Sequence, residues 1–86
     1  MENIENLKVH LTYLKNDLQA NNVDLYVARI EAKSLLTKSL MLLEKIQEVG
    51  EQHKEILNFV HEIKRLIETI SHEIQIQEKE EHFRKF

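Results

Sequence analysis

The sequence has no cysteine, no proline and one glycine, Gly50. Without cysteine the chain has neither a disulfide to hold a small fold together nor a cysteine-based metal site, and this composition favours a reducing compartment. A single glycine excludes the glycine-rich phosphate loops of the Rossmann and P-loop kinds, so no nucleotide cofactor is predicted. The lack of proline and a 31% share of charged residues are typical of long helices.

Two further absences concern export and membranes. The first residues lack the basic stretch and apolar core of a signal peptide. The longest apolar stretch, Leu35–Leu43, is interrupted at residues 37–39 and is far shorter than the roughly 20 residues that span a bilayer. We therefore predict a cytoplasmic protein with no transmembrane segment and no membrane partner.

The charge balance argues against nucleic acid as the principal partner. Twelve basic and fifteen acidic side chains give a formal net charge of −3, whereas binding to phosphates needs a clustered positive face. The residues that could form a basic track are Lys8, Lys15, Arg29, Lys33, Lys38 and Lys45. Acidic residues along helix two offset the four that lie there, which favours a solvated face of mixed charge.

Apolar residues recur every 3.5 residues in one heptad register that runs almost the whole chain, as in helices that pack on helices. Position a carries Ile4, Leu11, Leu18, Leu25, Ala32, Ile46, Val60, Ile67 and Ile74. Position d carries Leu7, Leu14, Ala28, Leu35, Leu42, Val49, Ile56, Ile63 and Ile70. The pattern predicts an all-α fold, and the length of 86 residues predicts a single helical domain over residues 1–86.

We predict three helices over about 3–20, 23–49 and 51–81, packed as an antiparallel bundle or coiled coil. Asn21 and Asn22 mark the first turn, because asparagine tolerates the left-handed conformation that ends a helix and is a preferred N-cap for the next. Val23 and Asp24 are then expected in the first turn of helix two. The charged tail 76–86 is expected to project or fray, since the apolar stripe fades before it.

Gly50 is ambiguous, and the sequence leaves two architectures open. The heptad register continues across it and a glycine inside a helix costs only about 1 kcal/mol relative to alanine, which allows one long helix after a short first one. The apolar face, however, widens on one flank before Gly50 and on the other flank after it. This change of face, together with the preference for glycine at a helix C-cap, favours a hairpin.

The apolar seam also predicts self-association. A chain of this size buries only about 60–65% of the surface of its unfolded state, so association with a second chain is the common way to gain burial. We predict a homo-oligomer, preferably a dimer, held by Leu35, Leu42, Ile46, Ile56, Val60, Ile63, Ile67, Ile70 and Ile74. Ser39, at an a position, is expected to bond back to its own helix or to interrupt the seam.

No residue pattern predicts catalysis, a cofactor or a metal. Glu68 with His72, and Glu78 with His82, have the i,i+4 spacing of a chelating pair, but each pair supplies fewer ligands than zinc needs. His53 at an a position could make association depend on pH, although an exposed turn beside Gly50 is the more ordinary place for it. We therefore predict no catalytic, cofactor or metal site.

The function predicted from these observations is a non-enzymatic protein-interaction module, a small regulator, inhibitor or adaptor that binds another protein. Apolar residues outside the a and d positions are candidates for that second surface, with the aromatic tail: Tyr13, Tyr26, Ile30, Leu40, Phe83 and Phe86. Two alternatives stay open. One is a helical nucleic-acid-binding regulator, and the other is a secretion or assembly chaperone that covers a client helix.

Overall fold

The computed structural model describes residues 3–46 and 50–84, which form three helices and no strand. Helix α1 spans Ile4–Gln19, α2 spans Leu25–Lys45 and α3 spans Glu51–Arg84. The prediction of an all-α three-helix bundle is confirmed. No helix in these ranges is both long enough and apolar enough to cross a membrane.

The turn between α1 and α2 follows the asparagine signal, with one correction. Asn21 has a φ of 56°, in the left-handed region, and its N–H donates to Leu18 O at 3.2 Å. The N–H of Asn22 donates to Asp17 O at 2.9 Å, which completes a Schellman motif. The N-cap of α2 is Asp24, which accepts from the N–H of Tyr26 at 2.8 Å, so placing Asp24 within the first helical turn was wrong.

The chain turns at Gly50, which confirms the hairpin and excludes one continuous helix through this position. Helix α2 ends at Lys45 and Ile46 is extended, so the predicted end at Val49 was too late; residues 47–49 lie outside the described residues. Gly50 has no positive φ, and its carbonyl accepts from Lys54 N–H at 3.0 Å. Gly50 therefore begins α3 as an N-cap and does not end α2 as the C-cap glycine that we predicted.

Helix α3 continues to Arg84, so the tail expected to fray is helical as far as that residue. At 1.5 Å per residue its 34 residues span about 51 Å, whereas the 16 residues of α1 span about 24 Å. The bundle is accordingly a rod of 57 × 19 × 17 Å. The second half of α3 packs beside α2 without α1 alongside it.

Ion pairs show how the helices are aligned. Lys8 pairs with Glu55 and Lys15 pairs with Glu62, and both pairs join residues 47 apart in sequence. The second pair lies one heptad after the first on both helices, so α1 and α3 run parallel. Helix α2 runs antiparallel to both, since Tyr26 at its start lies beside Glu78 near the end of α3. The pairs are half-exposed, so they define register more than they add stability.

The core lies between the three helices and draws on both heptad positions. Its buried cluster comprises Leu7, Leu11, Leu14, Ala28, Ala32, Leu35, Phe59, Ile63, Ile70 and Ile74. Ile56 and Val60 are also buried. Because Ala28 and Ala32 are small and fully buried, α2 can approach its neighbours closely along its first three turns.

Candidate protein-interaction surface

The polar residues considered as metal ligands or as a pH-sensitive group lie at or near the surface where the structure describes them. No group of three or more His, Asp or Glu side chains that could hold a metal ion is found in this part of the chain. Glu68 and His72 are exposed, and the side chain of His82 lies outside the described residues. His53 is half-buried in the first turn of α3.

Ser39 is the buried polar side chain of the described core, and its environment is simple. Its hydroxyl donates to Leu35 O at 2.7 Å within α2, which confirms one of the two roles predicted for it. No buried side-chain nitrogen or oxygen of the described residues lacks a hydrogen-bond partner. The core therefore holds no unsatisfied polar group that would call for a ligand.

The residues predicted to hold an oligomer lie inside the bundle of a single chain. Six of them are buried: Leu35, Ile56, Val60, Ile63, Ile70 and Ile74. The other three are half-buried: Leu42, Ile46 and Ile67. Each chain uses this seam to pack its own helices, because a hairpin brings the stripes of α2 and α3 together. In this arrangement the six buried residues are not accessible to another chain.

The predicted partner residues that the structure describes are exposed, but they do not share one face. Ile30 is 68% exposed, Tyr13 64%, Tyr26 45% and Leu40 41%. Tyr26, Ile30 and Leu40 lie on α2, whereas Tyr13 lies on α1. The side chain of Phe83 and the whole of Phe86 lie outside the described residues.

The side of α2 that points away from the core carries a longer apolar strip than the sequence analysis identified. Val27 and Met41, which are 46% and 53% exposed, belong to it. We call the following residues, all exposed, the α2 outer face: Tyr26, Val27, Ile30, Lys33, Ser34, Thr37, Leu40 and Met41. They occupy heptad positions b, c and f, which point outward when a and d are buried. Apolar residues at those positions were the signal that could have revealed the strip.

Tyr26 is held in place at the start of the α2 outer face. Its hydroxyl donates to Glu78 Oε1 at 2.6 Å, and the guanidinium carbon of Arg29 lies 5.7 Å from its ring centroid. The hydrogen bond to the Glu78 carboxylate raises the pKa of Tyr26, because a nearby negative charge disfavours the tyrosinate. The ring is therefore an aromatic contact fixed by its neighbours.

Replacing Glu78 by glutamine is expected to lower the pKa of Tyr26 towards its ordinary value, because the neutral amide no longer repels the tyrosinate. In a Tyr13→Phe background, Tyr26 is the only tyrosine, so absorbance at 295 nm follows its ionisation. Glu80→Gln is the matched control, and it should leave the titration midpoint where it was. A midpoint unchanged by Glu78→Gln would show that the contact does not form in solution.

Two open grooves adjoin the helices. One, of about 330 Å³, separates α1 from α2, with Tyr13 on one rim and Ser34 on the other. The larger, of about 750 Å³, lies where α1 stops, and its apolar lining is Leu18, Val23, Leu25, Leu66 and Ile70. The groove between α1 and α2 is also lined by titratable side chains: His10, Asp17, Glu31 and Lys38.

The basic residues considered as a nucleic-acid track are divided between helices. Lys8 and Lys15 on α1 are paired with carboxylates of α3. The pairing with Glu55 raises the pKa of Lys8, as expected for an ammonium that donates to a carboxylate. Arg29, on α2, stacks on Tyr26. Lys33 and Lys45 are exposed on α2.

Comparison with known proteins identifies no relative: no family model, no curated protein and no solved structure matches the chain. The functional argument therefore depends on the exposed surfaces alone.

Proposed function

We propose that the protein is a non-enzymatic helical interaction module, a small regulator, inhibitor or adaptor that acts by binding another protein through the α2 outer face. The observation that supports this most directly is the exposure of Tyr26, Val27, Ile30, Leu40 and Met41 on one side of one helix. Single exposed apolar residues are ordinary, but a strip of them along one helix is typical of a protein-binding surface.

The composition of the strip also supports binding to a helix or a flat protein surface. An aromatic ring, three branched aliphatic side chains and a methionine give large contact area, and the methionine adapts to different partners. The face extends over about 22 Å from residue 26 to residue 41, which suits helix-in-groove packing along several turns. None of these apolar side chains belongs to the buried cluster of the described core.

The proposal is tested with a photo-crosslinking amino acid placed at Ile30 in cells of the source organism. We expect a defined adduct with one other protein from position 30, and none from the matched exposed position 68 on α3. The identified protein is then purified, and its affinity is measured against Ile30→Glu and against Ile76→Glu, which alters an exposed isoleucine of α3. Loss of binding with Ile30→Glu alone supports the proposal; equal binding by both variants contradicts it.

A further inference from the structure

We infer that a second copy of this chain covers the α2 outer face, with α2 packed antiparallel on α2 about a two-fold axis near Ser34. The inference rests on the proposed function in one respect, since both assign this face to a protein partner. The two partners exclude each other, so the dimer has to dissociate before another protein binds the face. It differs from the predicted oligomer seam, which the chain buries within itself. The apolar and small polar residues of this contact are all exposed: Tyr26, Val27, Ile30, Ser34, Thr37, Leu40 and Met41.

The surface area of the chain is the first argument for a second copy. A folded monomer of 10.3 kDa is expected to expose about 5,400 Å². The chain exposes 6621 Å², which is about 1,200 Å² more than that expectation. A standard interface buries about 800 Å² on each partner. The excess belongs to the elongated chain as a whole, including the second half of α3, and it is large enough for a second rod lying along the first to remove through an interface of standard size.

The arrangement of the α2 outer face is the second argument. A two-fold contact has to be self-complementary, because the same patch serves on both chains. Tyr26, Val27 and Ile30 lie near the start of α2, and Leu40 and Met41 lie near its end. The residues of the face that separate the two groups are polar: Lys33, Ser34 and Thr37. In an antiparallel pair centred on Ser34, Val27 meets Met41 of the second copy. The two apolar groups thus contact each other twice, while Ser34 allows close approach at the axis.

Charge favours the antiparallel direction over the parallel one. Glu31 and Lys38 lie on the same flank of α2, three residues before and four residues after Ser34. In an antiparallel two-fold pair the same flank of both copies meets, so Glu31 lies beside Lys38 of the second copy, whereas in a parallel two-fold pair this flank faces the opposite flank and the two residues do not pair. Lys38 already has a contact within its own chain, so the pair would extend an existing network. Lys33 lies at the edge, where its stem can pack while its ammonium remains in water.

The absence of cysteine makes a direct test possible, since each introduced thiol is unique. Ser34→Cys is expected to form a disulfide-linked dimer under mild oxidation, because position 34 faces itself across the axis. Position 27 faces position 41, so Val27→Cys should crosslink poorly alone and readily when mixed with Met41→Cys. At about 10 µM protein the favoured pairs should form roughly 100-fold faster than the exposed control Glu68→Cys, since their effective concentration is millimolar.

Sedimentation equilibrium supplies the second measurement. The unmodified chain should sediment at twice 10.3 kDa. Ile30→Glu should raise the dimer dissociation constant by roughly 10- to 100-fold, whereas Ile76→Glu on α3 should leave it unchanged. Circular dichroism establishes that both variants remain helical. A monomer at about 100 µM, far above the concentration that a specific interface needs, would overturn the inference.

The crosslinking pattern also separates the inference from its competitors. Rapid self-crosslinking of Val27→Cys alone would indicate a parallel pair and overturn the antiparallel arrangement. A monomeric chain that still yields the position-30 adduct with another protein would overturn the dimer and leave the proposed function standing. A dimer with the expected crosslinks and no such adduct would support the dimer and contradict the proposed function.

Discussion

Ile63→Ala is expected to lower the free energy of unfolding by about 2–5 kcal/mol, the usual cost of removing a large aliphatic side chain from a core. Ile63 is fully buried, and it belongs to the cluster that joins all three helices. The alanine leaves a cavity where α1, α2 and α3 meet, and a bundle this regular has little freedom to collapse around it. A domain of this length has a total stability of only about 4–13 kcal/mol, so the loss is a large share.

Ile76→Ala is the matched control, since it makes the same change on the same helix at a residue that is 38% exposed. We expect it to alter stability by no more than about 0.5 kcal/mol. Both are measured by urea denaturation at one protein concentration, because dimerisation would make stability depend on concentration. Equal losses from the two substitutions would mean that residue 63 is not in the core of the folded chain.

Ala32→Leu is expected to destabilise the protein by about 1–3 kcal/mol, although leucine is a good helix former. Ala32 is fully buried in the cluster that includes Ile70 and Ile74 of α3. A leucine there replaces a methyl group by an isobutyl group in a close contact, so the helices must separate or the side chain must leave its preferred rotamer. Overpacking therefore outweighs the added apolar surface.

The control for this effect is Ala20→Leu, which enlarges an exposed alanine next to the end of α1. We expect the free energy of unfolding to stay within about 0.5 kcal/mol of the wild type. Thermal unfolding gives an independent measure, because 1 kcal/mol shifts the midpoint by roughly 4–8 °C in a domain of this size. If the Ala32→Leu protein is as stable as the Ala20→Leu protein, the side chains around residue 32 are packed less closely in solution than in the structure.

The three helices could be predicted because the heptad pattern has the period of packed helices throughout. Asn21 could be predicted as the turn because few residues besides glycine accept its left-handed backbone. The choice of Asp24 over Asn22 as N-cap could not be predicted, since both are good caps and the turn geometry decides between them. The end of α2 also depended on tertiary structure: Ile46 leaves the helix to pack near Ile4 and Ile56, at the end of the bundle.

The candidate surface could be predicted only in part. A heptad pattern indicates which residues are buried but not whether their contacts lie within one chain or between chains. The sequence analysis therefore assigned Ile63 and Ile70 to an oligomer, although the hairpin at Gly50 lets α3 bury them against its own chain. The exposed apolar residues of α2 were found incompletely because only some of those outside positions a and d were considered.

The two inter-helix connections, residues 20–24 and 46–50, have only five residues each. Helix α2 packs on both other helices, and it follows α1 and precedes α3 directly in the sequence. Chains with such local topology collapse and reach their native arrangement quickly, because little loop entropy is lost before the helices meet. Any pairing between copies then begins from finished bundles. The rate of this pairing is set by the encounter of two chains and falls as the solution is diluted, whereas the folding rate of each chain does not depend on concentration.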